Sequence, residues 1–202
     1  MTQPDLFAQA AAAPTAPPDA STPDAPKGLG SIIGQLSPRL DAERIGTGTL
    51  AELRRMAWDE FPSAYWHFTL RHIPEAWRTR DGAPSQHLDR AWAAVLRAMA
   101  EGAPNPNAFG HSFGAALAET GYAEPRFVRL LRADGEDLAR EMRTAALWLA
   151  RAGTKANWTD PAGLMLGRIG RLRRAGETWL PAPETIVHSL ARDYFRAQHS
   201  QS

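Results

Sequence analysis

The residues with the clearest capacity for chemistry are arginines repeated at helical spacing: Arg126, Arg129 and Arg132, followed by Arg140, Arg143 and Arg151. A guanidinium is a permanent cation with a planar fork of donors matched to phosphate or carboxylate oxygens, so a row of them on one helix side would hold a polyanion. The competing reading is the solvated outer face of a helical bundle, which is what most charged helix faces are. The surplus is local, however: residues 121–174 carry eleven Arg or Lys against six Asp or Glu. Arg54 and Arg55 form a smaller pair upstream, and Arg168, Arg171, Arg173 and Arg174 a later group. In their predicted helix, Arg54 and Arg55 also fall in the last turn, where cations favour the negative end of the dipole.

Other patterns point to chemistry that their surroundings do not support. Gly110-His-Ser-Phe-Gly114 matches the nucleophile elbow of esterases, which places its serine between a buried strand and a helix. Here the preceding Glu101–Asn107 reads as a loop and residues 108–122 as a small-residue helix able to admit a close neighbour, so no catalytic residue is assigned. His67 and His72 are five apart and do not share a helix face, which argues against a metal pair and for a rim or core histidine and a helix end. Gly163-Leu-Met-Leu-Gly-Arg-Ile-Gly170 lacks the lysine, hydroxyl and preceding strand of a phosphate loop. No cysteine is present, which removes disulfides, thiolate zinc sites and thiol catalysis. Neither metal nor cofactor is expected.

The elements that must position the arginines are amphipathic helices. At about 100° per residue, Phe127, Leu130 and Leu131 share one face of the first, and Leu138, Met142, Ala145 and Leu149 form a narrow stripe on the second, with Asp134 a cap between them. Upstream, residues 63–72 predict a mostly buried aromatic helix. Residues 85–100 predict another, with Leu88, Trp92, Val95, Leu96 and Met99 inward, and Thr49 with Glu52 predicts a capping box. Asn157-Trp158 opens a segment weakened by three glycines, and residues 183–198 close the chain. The fold class is all-α, a bundle of about eight to nine helices in one domain or two small lobes, 28–122 and 123–202.

The 202 residues carry a net charge of +1, with 21 arginines and two lysines, a ratio that coding bias alone can produce. Residues 1–27 hold eight Ala, six Pro and a charge of −2, which predicts a disordered leader. Within it, Gln3-Pro-Asp-Leu-Phe7 resembles the short peptide with which bacterial proteins dock on the replication sliding clamp, a match that chance can also supply. No apolar run approaches the roughly 20 residues of a membrane span and no signal peptide is legible, so a soluble cytoplasmic protein is expected.

Taken in order, residues from about 45 to 196 resemble the CasB family, the small subunit of the type I-E CRISPR surveillance complex Cascade. The segments that carry the resemblance are Gly48-Thr-Leu-Ala-Glu-Leu-Arg-Arg55, Ser112-Phe-Gly-Ala-Ala-Leu-Ala-Glu-Thr-Gly121, Arg126-Phe-Val-Arg-Leu-Leu-Arg-Ala133, Glu141-Met-Arg-Thr-Ala-Ala-Leu147 and Asn157-Trp158. The sequence departs from the family pattern at Ala115, Asn157, the glycines of 163–170 and Pro181-Ala-Pro183. The resemblance implies a non-catalytic helical subunit, present as two copies, that contacts other Cascade subunits and braces guide RNA, target DNA and the displaced strand through basic patches. Arg55, Arg126, Arg132 and Arg143 match family basic positions most closely, with Arg54, Arg129, Arg140, Arg168 and Arg171 as further candidates. The alternative is a helical adaptor that meets only protein.

Overall fold

The helix α5 (Gln86–Glu101) keeps one polar side, with Gln86, Arg90, Arg97 and Glu101, and buries the rest of its circumference. Leu88, Trp92, Val95, Leu96 and Met99 are buried as the periodicity predicts, and so are Ala91, Ala93, Ala94, Ala98 and Ala100. An apolar face this wide needs neighbours over most of the helix. In this computed structural model, which describes residues 28–176 and 178–201, α5 contacts α3 (Thr47–Arg55), α8 (Gly135–Arg151) and α9 (Thr159–Arg168). The leader 1–27 and its Gln3–Phe7 segment lie outside the described residues.

The remaining helices form a shell. α1 (Leu29–Leu36) lies on α9 and touches α4 (Ser63–His72), while the single turn α2 (Ala42–Ile45) leads into α3. α6 (Phe113–Glu119) packs against α10 (Pro183–Gln201), and α7 (Glu124–Arg132) against α8. Ten α-helices are thus present among the described residues, in an all-α fold with one continuous hydrophobic cluster from Leu29 to Tyr194. None is long and apolar enough to cross a membrane.

Two local expectations are corrected. The helix predicted from Thr49 starts at Thr47 and has no side-chain cap, because Asp41 caps α2 instead and Gly46, at φ 83°, turns the chain straight into α3. Residues 108–112, predicted as helix, belong to a strand, β3 (Asn107–Ser112), following two short strands β1 (Thr79–Arg80) and β2 (Ala83–Pro84). β3 pairs in parallel with β4 (Ala156–Asn157). Its geometry comes from distant partners. Ser37 Oγ accepts from Asn107 N at 2.9 Å and donates to Asn105 Oδ1 at 2.7 Å, and Asn107 Oδ1 accepts from Trp158 N at 2.9 Å. The helix then begins at Phe113, with Ser112 Oγ accepting from Ala115 N at 3.3 Å.

Small residues set how closely the last helix approaches. A Cβ on Gly114 would collide with the Leu190 carbonyl and lie 3.0 Å from Tyr194 N, both backbone atoms of α10. At Gly163 and Gly167 a Cβ would lie 3.0 Å from side-chain atoms of Ile186 and Pro183, a milder crowding, so the glycines that weaken α9 as an isolated helix are where α10 comes close. Tyr194 is locked over this junction, its ring stacked on Phe127 at 3.9 Å and its hydroxyl donating to Tyr122 O at 2.5 Å. Gly114→Ala should therefore lower unfolding stability by about 1–3 kcal/mol in urea titration. Gly110→Ala, with open space around its Cα, should change it little. Equal effects at the two positions would contradict this packing.

Candidate nucleic-acid interface

In α7, burial of Phe127, Leu130 and Leu131 turns Arg126, Arg129 and Arg132 outward. The α8 stripe of Leu138, Met142, Ala145 and Leu149 is buried as well, and Asp134 caps the helix by accepting from Gly135 N at 2.7 Å. The three outward arginines are not equivalent. Arg129 closes a two-pronged contact on Glu141 of α8, Nε to Oε1 at 2.7 Å and Nη2 to Oε2 at 3.2 Å. Glu141 is only 8% exposed, and this contact satisfies both of its carboxylate oxygens. The bond also pushes the Arg129 guanidinium above its ordinary pKa. Arg140 pairs with Asp137 one turn back on the surface of α8.

A second group gathers where α5 ends. Arg54 of α3 donates through Nε to Ala100 O at 2.8 Å, and Arg143 of α8 donates to Glu101 Oε1 at 2.6 Å. Both cations lie at the negative end of the α5 dipole. Arg97, one turn before Glu101, has a buried Nε with no hydrogen-bond partner among the described residues. Burial pushes its pKa down, the Arg143 charge adds to that, and Glu101 opposes it. Arg97 is not among the sequence candidates; its spacing of four from Glu101 on α5 is the signal that could have found it.

Arg168 is occupied too. Its Nη1 donates to Leu131 O at 2.8 Å and Ala133 O at 2.7 Å, satisfying carbonyls that the end of α7 leaves unpaired. Arg171, three residues later, is exposed and holds a left-handed backbone at φ 52°. Of the nine candidates, then, Arg54, Arg129, Arg140, Arg143 and Arg168 have partners inside the chain. Arg55, Arg126, Arg132 and Arg171 are exposed and make no side-chain hydrogen bond or ion pair among the described residues.

The elbow-like segment does have a strand before Ser112 and a helix after it, contrary to expectation, but the strand is half exposed and belongs to a two-stranded pair. His111 commits both ring nitrogens, Nδ1 to Lys155 O at 3.0 Å and Nε2 to Glu119 Oε2 at 2.8 Å, which leaves none facing Ser112 Oγ. His67 is exposed, and His72 ends α4 with its ring against Phe68 at 5.0 Å. Burial, then the Arg39 and Arg71 charges, hold His72 below the usual histidine range. Among the described residues no three His, Asp or Glu are grouped to hold a metal ion.

The partnered arginines should behave as braces. Glu101→Ala leaves Arg143 and Arg97 without their carboxylate and is expected to lower stability by about 1–3 kcal/mol in urea denaturation. Arg132→Ala should stay within about 0.5 kcal/mol of the parent. Indistinguishable denaturation midpoints for the two variants would count against the division.

Comparison with curated proteins and with solved structures finds no match. The family model described as CRISPR-associated protein Cse2 matches residues 49–195, a span that takes in most of α3 through most of α10 and all nine candidate arginines. On that match the chain belongs to the CRISPR-associated protein Cse2 family, the CasB small subunits of type I-E Cascade whose segment order it follows.

Proposed function

We propose that this Cascade subunit acts without catalysis, in the cytoplasm, bracing the guide RNA/target DNA duplex and the displaced strand through guanidinium groups on rigid helices. The observation that carries the reading is that Arg55, Arg126 and Arg132, three of the four positions closest to the family's basic pattern, are exposed and unpaired among the described residues. Such groups bind phosphate oxygens without reading base edges, which suits a subunit whose sequence selection is made by base pairing elsewhere. Arg129, Arg143 and Arg168 contribute by holding α7 and α8 in place. A second copy of the chain and the other Cascade subunits would extend the surface.

The alternative, an adaptor meeting only protein, draws support from the five candidate arginines already engaged internally. The two readings separate on salt. In the assembled complex, Arg126→Ala with Arg132→Ala should reduce the slope of log affinity against log salt by ~1.4–1.8, because each phosphate left without its arginine keeps its counterions. An unchanged slope, with the complex still assembling, would contradict nucleic-acid contact at α7 and favour the adaptor.

A further inference from the structure

Beyond the arginine helices, the described residues include an exposed tryptophan, Trp179, just after an arginine-rich segment. β5 (Arg174–Ala175) and β6 (Thr178–Trp179) form a two-stranded antiparallel hairpin between α9 and α10. Its base is fixed: Ala175 and Leu180 are buried, and Leu180 N donates to Arg173 O at 3.1 Å. Trp179, next to buried Leu180, is 70% exposed. The Arg174 guanidinium sits over its ring at 5.2 Å and is itself held by Nε donating to Gly176 O at 2.6 Å. That contact orients the indole and covers part of it, leaving most of the ring open to solvent.

The segment that leads into the hairpin is basic. Residues 161–176 contain four arginines and no Asp or Glu, and Glu177, next in sequence, lies outside the described residues. Arg168 is spent on the end of α7. Arg171 and Arg173 are exposed and make no side-chain hydrogen bond or ion pair among the described residues. Arg171 also holds a left-handed backbone at φ 52°, a conformation that disfavours any residue with a Cβ.

We propose that the β5–β6 hairpin is a stacking site for unpaired bases of single-stranded DNA, with a base lying on Trp179 and the flanking phosphates on Arg171 and Arg173. An exposed ring takes any base by its π-face, and the arginines track the backbone, so the site accepts a strand without sequence preference. Paired DNA cannot use it, because its bases are already stacked on each other. The proposal rests on the nucleic-acid reading above and adds to it a means of telling an opened strand from a duplex.

The test is filter binding of the full chain to an oligothymidylate strand and to duplex DNA at low salt. Trp179→Ala is expected to weaken strand binding roughly 5- to 150-fold, the range for loss of one base–aromatic stack, with duplex binding unchanged. Trp179→Phe should retain most of the strand affinity. Unaltered strand binding by Trp179→Ala would overturn the stacking site. The general reading would still stand if Arg126→Ala with Arg132→Ala lowered the salt slope in the same assay. Equal losses on strand and duplex would also overturn the proposal. A parent chain that binds neither would overturn it as well, and the salt slope in the assembled complex would then decide the broader reading alone.

Discussion

The two-pronged contact between Arg129 and Glu141 is the constraint on which the candidate surface depends. Glu141 is almost entirely buried, and a carboxylate there needs a cation with matching donors. Arg129 meets it from α7 and so fixes how that short helix lies on α8. α7 spans only Glu124–Arg132, too short to be stable as an isolated helix. Its outward face is therefore presented by tertiary contacts: Phe127 against Tyr194 on the inside, Glu141 at the middle, and Arg168 on the carbonyls at its end. Arg126 and Arg132 inherit their positions from those three anchors.

The same residue type thus serves two purposes. A guanidinium whose donors are satisfied inside the chain contributes rigidity, and one whose donors face solvent contributes charge that a polyanion can use. The end of α5 shows how the first kind is arranged. Arg54 takes a terminal carbonyl, Arg143 takes Glu101, and Arg97 lies close to the Arg143 charge with its Nε unsatisfied among the described residues. Arg97 and Arg143 thus share the one carboxylate of Glu101.

Helix faces were the legible part of the sequence. The stripes of α5, α7 and α8 followed from spacing, and the side on which their arginines emerge followed from the stripes. The strand at Asn107–Ser112 was not legible, because Ser37, Ala156 and Trp158 shape it from far along the chain. The division of labour among the arginines was hidden for the same reason. Arg129 and Glu141 are 12 residues apart and Arg143 and Glu101 are 42 apart, so no local window pairs them. Arg168 reads as one more basic residue until the end of α7 is placed beside it. Trp179 likewise carries no signal until the burial of its neighbours shows that it is left outside.

Selective dicarbonyl modification of arginine, read by peptide mass spectrometry on the assembled complex with and without target DNA, tests this account most directly. Before DNA is added, Arg126 and Arg132 should react quickly and Arg129, Arg143 and Arg168 slowly. Target DNA should protect Arg126 and Arg132 and leave the slow group unchanged. Fast modification of the braces, or no protection of Arg126 and Arg132 by DNA, would contradict the claim that free guanidinium groups on a braced helix face hold the nucleic acid.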